Sequence, residues 1–266
     1  MNRLSDRLML IGQQIEQNET MADIGTDHGF LPIYLIETGI CQKVILTDVS
    51  AGSLAKAKSN AALFLEEEAQ NGETLCMDDA RFDFRLGDGI SVLKPGEADC
   101  IVIAGMGGVL ISEILKKDME TARSAARLIL QPRNGVAKLR FFLAENGFTV
   151  TKELLVREGK FICEILVASF TGGSLSGSSA EKKARLPFGD MYYEIPELLL
   201  ENGELSEEFI RRKIRTKRRI LAEIAKSKSL SGEEYAAKKK LFSKQLAYCE
   251  EMLRRCQKRN EEEKRP

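Results

Sequence analysis

Met21-Ala22-Asp23-Ile24-Gly25-Thr26-Asp27-His28-Gly29, running into Phe30-Leu31-Pro32, is the stretch from which the rest of the chain is read. A short apolar run ends in an acidic residue. Gly-x-x-x-Gly follows, then an amphipathic segment with a proline in its first turn. That order is strand, tight glycine turn and helix start, the layout of a nucleotide-binding loop in a doubly wound sheet. Gly25 lets the backbone turn tightly, and Gly29 is expected to let a ligand approach the first turn of the helix. The loop also holds His28, the only histidine in the chain.

Working outward, the same alternation repeats. Ser5 is an N-cap for a first helix whose Leu4, Leu8, Ile11 and Ile15 share a face. Strands are expected at 21–24, 43–47, 82–86, 99–104 and 127–130. Helices between them are expected at 30–37, 53–68, after Gly108 to about 117 and at 136–146, the second buried on its Leu54, Ala57, Ala61 and Leu65 side. The run from Asp99 to Ala104 is unbroken and apolar, which suits a sheet covered on both faces. Phe148–Arg157 and Lys160–Ser169, joined at Glu158-Gly159, read as a hairpin. Alternating strands and helices that end in an antiparallel pair match the α/β Rossmann-like sheet of class I methyltransferases.

The rest of the chain has a different character. Thr171–Ala180 is low in complexity and reads as a surface excursion or linker, and Asp190–Leu200 as a short packing segment. Two helices are expected at 206–228 and 232–258, turning at Ser229–Gly232. Their seams are Ile210, Ile214, Leu221 and Ile224 on one and Phe242, Leu246, Cys249, Leu253 and Cys256 on the other, as in a helical hairpin or short coiled coil. The expected organisation is a methyltransferase-like domain over 1–170, a linker and packing segment over 171–200, and a basic helical hairpin over 201–266.

Composition sets limits. With 266 residues, 43% of them hydrophobic, the chain has ample material for one sizeable core and an accessory element. No apolar run approaches the roughly 20 residues that span a bilayer, and the first twenty residues lack a signal-peptide core. The six cysteines form no C-x-x-C pair, and Cys100 and Cys163 sit in apolar runs as core thiols. A cytoplasmic protein without a zinc site, disulfide framework or membrane partner is expected. Net charge is zero, yet residues 1–200 carry 21 Lys/Arg against 28 Asp/Glu and residues 201–266 carry 19 against 12. A basic tail on an acidic body suits a polyanionic partner or, as plainly, a solvated pair of charged helices.

Three acidic residues close three successive strands: Asp23, then Asp48, 23 positions after Gly25, then Asp88. Asp48 stands where a carboxylate accepts both ribose hydroxyls, and Asp88 where one accepts from an adenine amino group. Asp27 occupies a position that a phosphate-binding loop gives to glycine, and its charge would repel a pyrophosphate. The set suits a sulfonium cofactor, S-adenosylmethionine, better than NAD. Aspartate is common at strand ends, so the argument rests on the three together. Gly105-Met106-Gly107-Gly108 closes strand four, where donor and acceptor meet in such sheets. It lacks the Asn/Asp-Pro-Pro-aromatic sequence of many amino-group methyltransferases and leaves room for a flat substrate.

These residues resemble a family, the bacterial tRNA (adenine-N1)-methyltransferases that modify adenine 22. The resemblance is carried by Leu4-Ser5-x-Arg7-Leu8, Ala22-Asp23-Ile24-Gly25-x-Asp27-His28, Leu31-Pro32, Thr47-Asp48, Gly87-Asp88-Gly89, Ile103–Gly108 and Leu130-Gln131-Pro132, across most of residues 1–170. It implies a class I methyltransferase domain followed by a coiled coil, S-adenosylmethionine as cofactor and tRNA as substrate. Apart from the resemblance, a monomer is expected, with an oligomer left open. Cofactor-lining residues would be Asp23, Gly25, Thr26, Asp48, Val49, Asp88, Gly89, Ala104, Gly105 and Met106. Where the family usually has tyrosine before Leu-Pro this chain has Phe30, which keeps a stacking role and loses a hydroxyl one. Where the family often has asparagine this chain has Arg133.

Adenine N1 is a lone pair without a proton, so transfer needs no general base and depends on positioning. Asp27 and His28 are the catalytic candidates, Asp27 to stabilise the cationic product. Alternatively Asp27 is a helix N-cap and His28 a structural histidine. Phe30 either stacks on the exposed base or packs in the core. Arg211, Arg212, Lys217 and Arg218 are expected on RNA phosphates, with Arg3, Arg7, Gly107 and Arg133 as further substrate contacts. Methylation of another RNA, or RNA binding without catalysis, are the competing readings.

Overall fold

The computed structural model describes residues 4–70, 80–172, 186–227 and 231–263. Arg3, Cys76, most of the low-complexity segment and most of the turn expected between the last helices lie outside them. The chain divides into two compact units, Met1–Lys152 with Val156–Leu186, and Glu153–Leu155 with Pro187–Pro266.

The first unit begins with α1 (Asp6–Gly12), whose N-terminus is capped by Ser5 Oγ accepting from the Leu8 amide at 3.3 Å. Then come β1 (Thr20–Ile24), α2 (Phe30–Glu37), β2 (Lys43–Asp48), α3 (Ala51–Gln70) and β3 (Phe82–Leu86). A 3-10 turn at Gly89–Val92 leads to β4 (Cys100–Met106), α4 (Gly108–Lys117), the short α5 (Met119–Ser124) and β5 (Arg127–Pro132). The unit closes with α6 (Val136–Glu145), β6 (Phe148–Glu158) and β7 (Phe161–Phe170).

The seven strands lie in the order β3-β2-β1-β4-β5-β7-β6. The first five are parallel, and β7 runs antiparallel to β5. The order reverses between β1 and β4, and in sheets of this kind the crevice for a ligand opens at that point, beyond the carboxyl ends of the strands. Two-residue periodicity divides the strand side chains between faces. Ala22, Ile24, Ile45, Ile101, Ile103, Leu128 and Leu130 face one way and pack with Ile111 and Leu115 of α4 and Leu139 and Leu143 of α6. Each of these isoleucines and leucines taken fully out of water contributes about 1.5–3 kcal/mol. On α3 the buried residues are Leu54, Ala57, Ala61 and Phe64, while Leu65 is only half-buried. The larger Phe64 ring takes the inward position against Phe82, at 6.2 Å between centroids, and the helix starts two residues earlier than the periodicity predicts.

In the second unit, 3-10 turns at Met191–Tyr193 and Glu197–Asn202 precede α7 (Glu204–Lys226) and α8 (Gly232–Glu263). Ile210, Ile214 and Ile224 of α7 are buried, as are Cys249, Met252 and Cys256 of α8. Leu253, expected in the seam, is half-buried, and Met252 takes the inner place. The seam of α8 therefore steps by three and four from Cys249 through Met252 to Cys256. Tyr248 donates its hydroxyl to the Ile195 carbonyl at 2.9 Å, tying α8 to the turn before α7.

Cys41, Cys100, Cys249 and Cys256 are buried free thiols, and Cys163, expected in the core, is half-buried. Burial pushes the Cys41 thiol up to about 12 and Cys100 higher still, so neither is a nucleophile at neutral pH. Among the described residues no helix is long and apolar enough to cross a membrane, and no group of three or more His, Cys, Asp or Glu could hold a metal ion.

Candidate functional site

A cleft of about 570 Å³ opens at the carboxyl ends of β1, β2, β3 and β4. Asp23 and Thr26, from β1 and the loop after it, are buried in its wall, and so are Thr47 and Asp48 from the end of β2. Gly87, Asp88 and Gly89 follow β3, and Ala104, Gly105 and Met106 end β4. The β4 end is irregular: its pairing with β5 shifts register between Ala104 and Met106, which turns Gly105 toward the cleft.

Asp48 organises the loops around it. Its Oδ1 accepts from the Ser50 amide at 2.8 Å and its Oδ2 from the Asp27 amide at 3.3 Å. Burial raises the Asp23 carboxyl to about 6, and the negative charge of Asp48 adds to the shift. The hydroxyls Thr26 Oγ1 and Thr47 Oγ1 are buried and have no hydrogen-bond partner among the described residues. Unpaired buried hydroxyls in the wall of a cleft are a debt that a ligand's polar groups can settle. Asp88 is half-exposed and paired with the Lys117 ammonium from α4.

Gly25 has φ +76°, a conformation that favours glycine, and a Cβ there would push aside the Met106 Cε. Asp27 follows with φ 48°, a left-handed conformation that aspartate tolerates better than most residues. Its side chain is 62% exposed, and Oδ2 lies 3.7 Å from His28 Nε2. The His28 ring stacks on Phe30, 5.3 Å between centroids and 6° from parallel, and both rings line the mouth of the cleft.

Comparison with known proteins fits this arrangement. The model of the methyltransferase domain family matches residues 4–166. The chain belongs to the methyltransferase domain family. A curated relative, the tRNA (adenine(22)-N(1))-methyltransferase of Bacillus subtilis (strain 168), is 34% identical over 166 residues, which is 62% of this chain and 65% of that protein. This chain thus matches just under two thirds of that relative's length. Among solved structures, the Bacillus subtilis m1A22 tRNA methyltransferase is similar with a TM-score of 0.73 and 26% identity, over 95% of this chain and 100% of that one. A Listeria monocytogenes serotype 4b structure, described as an uncharacterized protein, is similar with a TM-score of 0.76 and 27% identity, over 94% and 100%.

Within the methyltransferase domain, the cleft gathers all ten residues expected at the cofactor: Asp23, Gly25, Thr26, Asp48, Val49, Asp88, Gly89, Ala104, Gly105 and Met106. Asp27, His28, Phe30, Arg7 and Arg133 line it as well. Three expectations need correction. The N-cap of α2 is Gly29 without a side-chain bond, so Asp27 does not cap that helix. Gly29 does not face a ligand: a Cβ there would stand 3.1 Å from Ala57 Cβ and Leu46 Cδ2, so its role is close packing of α2 on α3 and β2. Gly107 does not line the cleft. Its missing side chain faces Asn134 Oδ1 at 3.2 Å, and Gly108 abuts the Gly135 carbonyl, so these two glycines let α4 approach the loop after β5.

Sequence reasoning missed Thr47, Gln131 and Leu110. Thr47 sits one residue before Asp48, and a hydroxyl at a buried strand end was the available signal. Gln131 is buried, accepts at Oε1 from the Gly105 amide at 3.1 Å and from Arg7 Nη1 at 3.0 Å, and so pins the end of β4. Leu110, 48% exposed, adds an apolar wall from α4 that periodicity assigned to no face.

The helix cations expected on RNA belong to the second unit and do not line the cleft. Arg211 pairs with Glu207 and Arg212 with Glu208, each one turn back. Lys217 donates to Gln245 at 2.8 Å and lies over the Phe242 ring, and Arg218 pairs with Glu250.

Proposed function

We propose that the chain transfers a methyl group from S-adenosylmethionine to N1 of adenine 22 in tRNA. The observation that carries this is the convergence of three strand-end carboxylates and two unpaired buried hydroxyls in one cleft beside the Gly105–Met106 bulge. The name of the Bacillus subtilis relative supplies the substrate and the atom. A tRNA substrate puts the enzyme in the cytoplasm.

The residues fit the cofactor. It offers donors, in its ribose hydroxyls, adenine amino group and ammonium, to a cleft rich in acceptors. A pyrophosphate would meet Asp23, Asp27, Asp48 and Asp88 unfavourably. When bound, S-adenosylmethionine supplies a methyl group made electrophilic by its sulfonium. Asp48 would accept from the ribose, Asp88 from the adenine amino group, and Asp23 would face the cationic end. Thr26 and Thr47 hydroxyls would gain the partners they lack.

The adenine to be methylated presents N1 on its Watson–Crick edge and must leave its pair or stack first. The stacked His28 and Phe30 rings offer an aromatic face for it at the cleft mouth. N1 needs no deprotonation, so the chain contributes orientation and charge. The exposed Asp27 carboxylate at the same mouth stabilises the positive charge that appears on the base.

The test is incubation of the protein with labelled S-adenosylmethionine and total tRNA, followed by mapping of the methylated nucleoside. Label at 1-methyladenosine 22 is expected. Label confined to ribosomal RNA, or RNA binding without label, would overturn the assignment.

A further inference from the structure

Two arginines line the cleft, and their surroundings differ. Arg7 is locked. Its Nε donates to both carboxylate oxygens of Glu158, at 3.0 and 3.2 Å, and its Nη1 to the buried Gln131 amide oxygen at 3.0 Å. Only 18% of the side chain is exposed. Its charge is balanced, and its work is to brace the Gln131–Gly105 contact that fixes the end of β4.

Arg133 is placed with the same care at the backbone and left open at the side chain. It is the first residue after β5, and its amide donates to the Met106 carbonyl at 2.7 Å, which fixes it to the β4 bulge. Its guanidinium lies along Gly105, where a Cβ would stand 3.7 Å from Nη2 and 3.8 Å from Nε. A Cβ at 105 would sit in ordinary contact with it. Arg133 is exposed, and its guanidinium has no hydrogen bond or ion pair with another described residue.

S-adenosylmethionine carries one anionic group, its carboxylate, beside its sulfonium and ammonium. A guanidinium at the rim therefore has two candidate partners, that carboxylate and a phosphate of the RNA, and cofactor affinity in the Arg133 variants tells them apart. The group is of use to an anion, and the planar fork of arginine matches a phosphate with two parallel hydrogen bonds. A target base inserted past Gly105 and Met106 carries its own phosphates at the rim. We propose that Arg133 binds a backbone phosphate flanking the target nucleotide, while Arg7, though it lines the same cleft, binds none. This rests on the reading of the chain as an RNA methyltransferase. It assigns the phosphate contact to one residue and withdraws it from the other.

The experiment uses the full chain and its Arg133→Gln, Arg133→Lys and Arg7→Gln variants. tRNA affinity is titrated across 50–300 mM KCl, together with kcat and KM for tRNA and the Kd of S-adenosylmethionine. Removing one phosphate contact lowers the slope of log affinity against log salt by about 0.7–0.9. That loss is expected for Arg133→Gln, with KM for tRNA raised roughly tenfold at little change in kcat, an unmoved melting temperature and cofactor affinity within about twofold. Arg133→Lys should recover the slope. Arg7→Gln should keep the wild-type slope while kcat or the melting temperature falls.

An unchanged slope in Arg133→Gln, or an equal loss in Arg7→Gln, overturns the proposal. If the wild type methylates ribosomal RNA and not tRNA, the tRNA assignment fails by itself, and the slopes are read on the RNA that is methylated. A wild type that binds no RNA overturns both.

Discussion

The Asp27 amide donates to Asp48 Oδ2 at 3.3 Å, so the loop after β1 is held by the carboxylate that ends β2. The bond uses the backbone of Asp27 and leaves its side chain 62% exposed at the mouth of the cleft. Backbone and side chain of this residue can therefore be separated by mutation. Asparagine tolerates the left-handed φ of 48° and keeps the amide, but removes the charge. Asp27→Asn should lower the single-turnover rate by about 10- to 100-fold, in the range of a lost electrostatic contact, with cofactor affinity nearly unchanged. Asp27→Ala should lose cofactor affinity as well, because alanine is strained at that φ. A single-turnover rate of Asp27→Asn equal to wild type, with cofactor bound, would remove Asp27 from the chemistry.

Asp23 makes the site pH-dependent in two opposite ways. Burial pushes its carboxyl up to about 6 in the folded chain, well above the ordinary aspartate range near 3.8. Between those values the folded state binds the extra proton, so stability contributed by the protonated form is lost as pH rises through about 6. The full shift corresponds to about 3 kcal/mol at most. A cationic cofactor needs the ionised form, so its affinity should rise over the same window. Thermal melts of the free protein and calorimetric titrations with cofactor from pH 4.5 to 7.5 should thus slope in opposite directions. Asp23→Asn should flatten both and melt higher than wild type at pH 7.5. A flat wild-type binding curve would disconnect Asp23 from the cofactor.

Gly25 combines two constraints that a pair of variants can divide. Alanine at φ +76° costs about 1–2 kcal/mol whatever surrounds it. Its Cβ also displaces the Met106 side chain, which lines the cleft. Gly25→Ala should lose both stability and cofactor affinity. Adding Met106→Ala should restore affinity to that of Met106→Ala alone while the stability loss remains. Denaturant melts and cofactor titrations on the four proteins check this, and recovery of stability in the double variant would show that the turn is not strained.

The strands and the acidic edge of the cleft were legible because both follow from local patterns. Apolar runs of strand length that stop at Asp23, Asp48 and Asp88 bring those residues to one sheet edge once the connections are parallel and right-handed. What escaped was set by packing between elements distant in sequence. Gly29 reads as a ligand-facing glycine until Ala57 and Leu46 are seen against it. Arg7 reads as a free cation until Glu158, 151 residues away, closes on it. Met252 and Leu253 are equally apolar, and only the azimuth of α8 decides which is buried. In each case the residue type was read correctly and its partner lay beyond the reach of a local pattern.

The same distinction separates the cations of the second unit. Arg211, Arg212 and Arg218 each sit on a glutamate, so each must break an ion pair to meet a phosphate. Exposed pairs of this kind are worth about 0–1 kcal/mol, too little to forbid the exchange but enough to reduce the gain. Lys238, Lys240 and Lys244 of α8 are exposed and have no ion pair with a described residue. If the helices track RNA, these three release counterions without compensation. Changing them together to glutamine should reduce the salt slope of tRNA affinity by about 2–3, and the same change at Arg211, Arg212 and Arg218 by less. Fluorescence titrations against salt decide the order. A triple lysine variant with the wild-type slope would remove this face of α8 from the RNA interface.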